Sequence, residues 1–164
     1  MKRETMLLFF CGKMAAGKST LAKSLAEHHD AVLLVQDDLL ATLYPGEIRS
    51  VSDYGRCCSR LKAALSPTIQ SLLRNGNPVV LDFPANTRQQ RAWFRELFEA
   101  TQVHHELHFL DVPNELCKKQ LRERSRDLPP GSPWTSEAEF DEITEYFESP
   151  TVEEGFNVVL HKRP

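Results

Sequence analysis

Residues 12–20 read Gly12-Lys13-Met14-Ala15-Ala16-Gly17-Lys18-Ser19-Thr20. Two glycines five positions apart run directly into a lysine and a hydroxyl residue, which is the pattern G-x-x-x-x-G-K-[ST]. A flexible turn could carry the same residues, so the flanks decide. Upstream, Met6 to Cys11 is an apolar run bounded by charge and by Gly12, which reads as a buried strand. Downstream, Leu21, Ala22, Leu25 and Ala26 recur at helical spacing. A glycine-rich loop between a strand and a helix can turn its backbone N–H groups inward, and the helix N-terminus adds partial positive charge. Such a loop cradles phosphate. Gly12, Ala15, Ala16, Gly17, Lys18, Ser19 and Thr20 are the candidate nucleotide-binding residues. Lys18 is placed to reach β- and γ-phosphates, and the Ser19 hydroxyl to ligate Mg²⁺.

Outward from the loop, the pattern alternates. Ala31 to Val35 reads as a second buried strand, ending at Asp37-Asp38. Leu61, Ala64, Leu65, Ile69, Leu72 and Leu73 carry helical period, with Ser66-Pro67 as a kink or a fresh N-terminus and Asn75-Gly76 as the stop. Pro78 to Leu81 is a third strand that delivers Asp82. Thr87-x-x-Gln90 has the form of a capping box and opens a helix bearing Trp93, Phe94, Leu97 and Phe98. Leu107 to Leu110 is a fourth strand, followed by a helix from about Asn114 to Arg126 and a proline-rich loop from Asp127 to Thr135. Ser136-x-x-Glu139 caps a further helix with Phe140, Ile143 and Phe147, and Asn157 to Leu160 is the last strand. Buried strands alternating with helices describe an open parallel α/β sheet.

The chain has 164 residues, 41% of them hydrophobic, enough for one domain with a core over residues 1–164. A net charge of -3 argues against a dedicated nucleic-acid binder. The amino-terminal residues are charged, and the apolar run at 6–11 is too short for a signal sequence or a membrane span, so the expectation is a cytoplasmic protein without a membrane segment. Cys11, Cys57, Cys58 and Cys117 lack C-x-x-C spacing and read as reduced core filler. His28-His29 and His104-His105 read as solvated surface histidines.

Three carboxylates follow the strands. In a parallel sheet the carboxyl ends of the strands share the edge where ligands bind, so Asp37, Asp38 and Asp82 can converge there. Val79-Val80-Leu81-Asp82 has the form of a Walker B strand, whose aspartate holds Mg²⁺ directly or through water. Asp37 or Asp38 suits a general base taking a hydroxyl proton from an acceptor, and equally suits a helix N-cap before Leu39-Leu40. Lys118, Lys119, Arg122, Arg124 and Arg126 crowd the end of one helix. An arginine among them, on a segment that closes over the phosphates, would stabilise transition-state charge, while the others suit a solvated face or the helix C-terminus. The prolines beyond make that segment, about residues 122–136, a short stiff lid.

These pieces together resemble the small P-loop kinases related to polynucleotide kinase, chloramphenicol phosphotransferase and gluconate kinase, often labelled AAA-type ATP-binding proteins. The likeness runs over nearly the whole chain, through 12–20, 35–40, 79–91, 110–126 and 147–159. It implies a three-layer P-loop NTPase fold with a five-stranded parallel sheet in the order 2-3-1-4-5. It also implies ATP as the nucleotide, Asp37 as the base and Asp82 as the acid after strand three. Arg124 matches the lid arginine, with Arg126 and Arg122 behind it. Polynucleotide kinase continues past strand two to an arginine where this chain has Leu40, with Arg88 or Arg91 as replacements. At 164 residues there is no room for the helical lid domain of the hexameric AAA+ machines.

The expected activity is transfer of the γ-phosphoryl group of ATP to a hydroxyl of a small-molecule or nucleotide acceptor, by a monomer. Residues 39–56 would form the acceptor wall, with Asp38, Tyr44, Arg49, Tyr54 and Arg56 as polar candidates and the arginines suiting an anionic acceptor. Two other readings stay open: an ATP-hydrolysing switch without an acceptor, and a nucleic-acid 5′-hydroxyl kinase. No N-K-x-D signature of a guanine site is present.

Overall fold

The computed structural model describes residues 4–163. The phosphate-loop strand β1 (Met6–Cys11) leads into α1 (Lys18–His29), and β2 (Val32–Val35) leads without a loop into α2 (Gln36–Leu43). The long α3 (Val51–Arg74) precedes β3 (Val79–Pro84) and α4 (Arg88–Thr101). Then come β4 (His104–Asp111), α5 (Asn114–Ser125), α6 (Glu137–Thr144), a single 3₁₀ turn at Val152–Glu154, and β5 (Val158–Lys162).

The described residues form one five-stranded sheet in the order β2-β3-β1-β4-β5, every pair parallel. β1 is central and apolar throughout because both of its faces are covered. Leu7, Phe9 and Cys11 face the core shared with α3 and α4, where Phe9 stacks on Phe94 with ring centroids 4.4 Å apart. Met6, Leu8 and Phe10 face the opposite core with Ala22 and Ala26 of α1, Cys117 and Leu121 of α5, and Phe140 of α6. All four cysteines are free and buried. No helix among the described residues is long and apolar enough to cross a membrane.

Several local expectations are met at the atoms. The Thr87 hydroxyl accepts from the Gln90 amide at 3.0 Å, and Ser136 with Glu139 forms a complete capping box. Other boundaries move. Pro67 lies inside one continuous α3 and does not start a new helix. Leu61 and Ile69 anchor the helix in the core on either side, and Trp93 Nε1 of α4 donates to Ser66 Oγ at 2.8 Å. β3 runs on to Pro84, so Asp82 lies inside the strand and not past it. His105 is no free surface group: its ring stacks on Phe98 at 3.8 Å.

Candidate active site

The phosphate loop leaves β1 at the carboxyl edge of the sheet. Gly12 is needed for space, not for its torsion. A Cβ there would lie 3.3 Å from Leu110 Cβ and from the Leu110 carbonyl oxygen. Its amide donates to Asn86 Oδ1 at 2.9 Å, which ties the loop to the end of β3. Gly17 has φ 104° and begins α1 in the left-handed region, with no side chain capping the helix. The first-turn N–H groups of α1 thus face the loop without intrahelical partners, the arrangement that takes an anion. Ala15 also holds a positive φ of 64°, an uncommon posture for a residue with a Cβ.

Three charged or polar groups meet over this loop. The Lys18 ammonium folds back to donate to the carbonyl oxygens of Gly12 and of Lys13, the latter at 3.2 Å. Burial lowers its pKa, against the pull of the Cys11 thiol and of Asp82. Ser19 Oγ donates to Asp82 Oδ2 at 2.7 Å. That contact spans 63 residues and joins the two groups that sequence assigned to Mg²⁺. A register shift between β1 and β3 aids it: Phe9 pairs with Leu81 but Phe10 with Pro84, so the strand bulges at Asp82-Phe83. A hydroxyl and a carboxylate oxygen side by side are hard donors, and they fit Mg²⁺.

Asp37 completes the cluster from α2. The N-cap of that helix is Val35, with no side-chain cap, so Asp37 and Asp38 sit in the first turn and neither caps it. Burial raises the Asp37 pKa first, the charge of Asp82 adds to this, and Lys18 and Arg124 pull it down. Asp82, Lys18 and Arg124 are therefore all close enough to Asp37 to act on its charge. Arg124, near the end of α5, feels Asp37 in return.

Beside Asp37 opens a groove of about 630 Å³ between α2, the start of α3 and the segment after α5. Asp37, Tyr44, Tyr54, Arg124 and Trp134 line it. On the other side of the loop, a recess of about 280 Å³ is lined by Lys13, by 109–112 at the end of β4, and by Asn114, Thr144, Phe147 and Ser149.

The arginines sort differently from expectation. Arg49 and Arg56 line no part of the groove. Arg49 Nε donates to Gly46 O at 3.1 Å, and Arg56 pairs with Asp53 at 3.2 Å, because each serves the turn that starts α3. Arg88 reaches Glu148 and Thr151 instead of the site. Arg91 is fully buried: its Nε and Nη2 fork onto Glu154 at 2.8 and 3.3 Å, and Nη1 donates to Ala85 O. It is a structural arginine and cannot touch a substrate. Arg122 pairs with Glu137. Arg126, just past α5, and Asp38 are exposed and stand outside the groove lining. Sequence reasoning missed Asn86, whose only signal was its place before a helix cap, and Trp134 as a groove wall.

A family model described as an AAA domain matches residues 7–150, and the chain belongs to that family. No curated protein matches it in sequence. Among solved structures, a sugar kinase from Janibacter sp. superposes with TM-score 0.64 at 15% identity, over 98% of this chain and 87% of the other. The APS kinase CysC of Mycobacterium tuberculosis, with AMPPNP and APS, gives 0.61 at 20% identity, over 99% and 90%. Chaetomium thermophilum Kti12 with ADP-AlF3 gives 0.68 at 16%, over 95% and 88%. At these identities the likeness shows a shared P-loop kinase-like fold.

Proposed function

We propose that the protein is a phosphotransferase that moves the γ-phosphoryl group of ATP to a hydroxyl of a small acceptor. The observation that carries this reading is the convergence of Lys18, the Ser19–Asp82 pair and Asp37 at the mouth of a second, separate groove. Transfer to an alcohol calls for a carboxylate beside a pocket with room for the acceptor, and the presence of Asp37 in the groove lining supports that reading.

The loop amides and the start of α1 hold the phosphates. The small recess at Lys13 and Phe147 takes the nucleoside end, on the side of the loop away from Asp37. Ser19 and Asp82 would hold Mg²⁺, which supplies positive charge to the phosphate oxygens. Asp37 accepts the proton of the acceptor hydroxyl as its oxygen bonds to the γ-phosphorus. The bond from that phosphorus to the bridging oxygen breaks, and ADP leaves with the electron pair. Lys18 and Arg124 face the charge that builds on the way. Burial and the charge of Asp82 raise the Asp37 pKa, which makes its carboxylate a stronger base than an ordinary aspartate. The relatives that bear kinase names support the reading; their acceptors are their own.

The test is ATP consumption with Mg²⁺, with and without pooled hydroxyl compounds. The expected result is turnover well above the water background in at least one pool. Flat, slow hydrolysis in every pool, with tight ATP binding, would replace this reading with a nucleotide switch.

A further inference from the structure

The groove beside Asp37 also carries information about the acceptor. Among the described residues its only charged lining groups are Asp37 and Arg124, each close enough to act on the other's charge. The remaining wall is mostly apolar or aromatic, with Leu40, Ile48 and Leu128 beside the rings of Tyr44, Tyr54 and Trp134, and with Ser125 and Thr135 as its two aliphatic hydroxyl residues. The arginines that would have suited an anionic acceptor, Arg49 and Arg56, bond within their own turn.

Two of the rings are held in place. Tyr54 and Trp134 meet edge to face at 5.7 Å and 61°, which links α3 to the segment after α5. Tyr54 is fixed from behind, where buried Gln36 Nε2 donates to its hydroxyl at 2.9 Å. Trp134 sits at φ 59°, an outlier posture for a bulky side chain, and Glu139 holds it there by accepting its amide at 2.9 Å. Burial also raises the Tyr54 pKa, so its phenol stays neutral.

Resting on the phosphotransferase reading, we propose that this groove selects an uncharged alcohol with a flat apolar body, seated against Tyr54 and Trp134 with its hydroxyl at Asp37. A sugar acid or sugar phosphate would bring a second anion beside Asp37 with one arginine to answer it. A polyol would set hydroxyls against the carbon of Leu40, Ile48 and Leu128, each at a desolvation cost. A ring or fused apolar body loses nothing there and gains the offset or edge contacts that aromatic walls favour.

The experiment compares acceptors at equal concentration with the intact chain and Mg-ATP: 3-phenylpropanol and tyrosol against glucose, gluconate and glucose 6-phosphate. The expected result is at least about 10-fold higher kcat/KM for the two aromatic alcohols, the scale of one well-made aromatic contact. Trp134→Ala should raise the acceptor KM about 10-fold with the ATP KM unchanged, and Trp134→Phe should restore it. Preferred transfer to an anionic or polyol acceptor would overturn the inference while leaving a kinase. A Trp134→Ala loss in kcat alone, not recovered by phenylalanine, would also overturn it. No acceptor-dependent ATP consumption in any arm would overturn the phosphotransferase reading itself, and the inference with it.

Discussion

Asp37 is exposed to the groove, yet the protein around it and the nearby Asp82 raise its pKa above the ordinary aspartate value. That direction has two consequences of opposite sign. Folding favours the protonated form, so the stability this group contributes is greatest at low pH and declines as pH rises through its folded pKa. Catalysis needs the ionised form, so the transfer rate should rise with pH through the same value. Asp37→Asn is therefore expected to abolish that acidic limb and cut transfer about 10²–10⁴-fold, while thermal melting at neutral pH stays at or above wild type. A pH–rate profile and a melting curve on one preparation check both. Gly12 makes a second prediction. Because a Cβ would meet Leu110 at 3.3 Å, Gly12→Ala must displace the loop or the end of β4. The expected cost is about 1–3 kcal/mol of stability with weaker nucleotide binding, read by urea unfolding and calorimetric titration.

Among the elements, α4 and the segment before β5 are locked by one ion pair. Arg91 is fully buried and forked onto Glu154, and Arg95 adds a bond to the Glu154 carbonyl and a face contact on Phe156 at 4.3 Å. Glu154→Ala would strand a buried guanidinium and should cost about 3–5 kcal/mol in chemical denaturation. Adding Arg91→Met should recover most of that loss, since an apolar pair of similar volume avoids the desolvation. The edge of the sheet carries a second device. His108 is buried on β4, its Nδ1 2.8 Å from His161 Nε2 of β5 and its Nε2 3.1 Å from Glu106, with His29 adding repulsion. Burial lowers its pKa below 6.5, so its contribution is present above that value and is lost as pH falls through the folded pKa. Melting temperatures at about pH 7.5 and about pH 5.5 should fall further for wild type than for His108→Gln.

These elements also show what a sequence exposes. β1, the loop and α1 were legible because apolar runs, glycine spacing and helical period are all local, and the caps at Thr87 and Ser136 could be read for the same reason. Asp82 was legible as an acid near a strand end, but its contact with Ser19 was not, since it depends on a bulge between strands that are neighbours in the sheet and far apart in sequence. The partners of Arg49, Arg56 and Arg91 were hidden for the same physical cause. Nothing near Arg91 in sequence announces Glu154, 63 residues away, and the composition of residues 46–56 does not show that Arg49 and Arg56 bond to their own turn. The sheet order matched what the resemblance implied. The continuous α3 rules out a fresh helix start at Pro67, and packing against α4 holds the two halves together across the proline.

On the scale of the whole molecule, β1 divides the carboxyl edge of the sheet. Toward β2 and β3 lie Asp37, Asp82 and the aromatic groove; toward β4 lies the recess beside Lys13 and Phe147. The phosphate loop sits between them, so a nucleotide and an acceptor can approach from opposite sides and meet at the Ser19–Asp82 pair. The most direct test of this layout is phosphorus NMR of the products formed from Mg-ATP and pooled neutral alcohols, by wild type and by Asp37→Asn, with ATP-analogue binding measured for both. The account predicts a phosphate ester and ADP from wild type, no ester from the variant, and equal analogue affinity. Equal ester from both proteins, or inorganic phosphate alone from wild type in every pool, would contradict it.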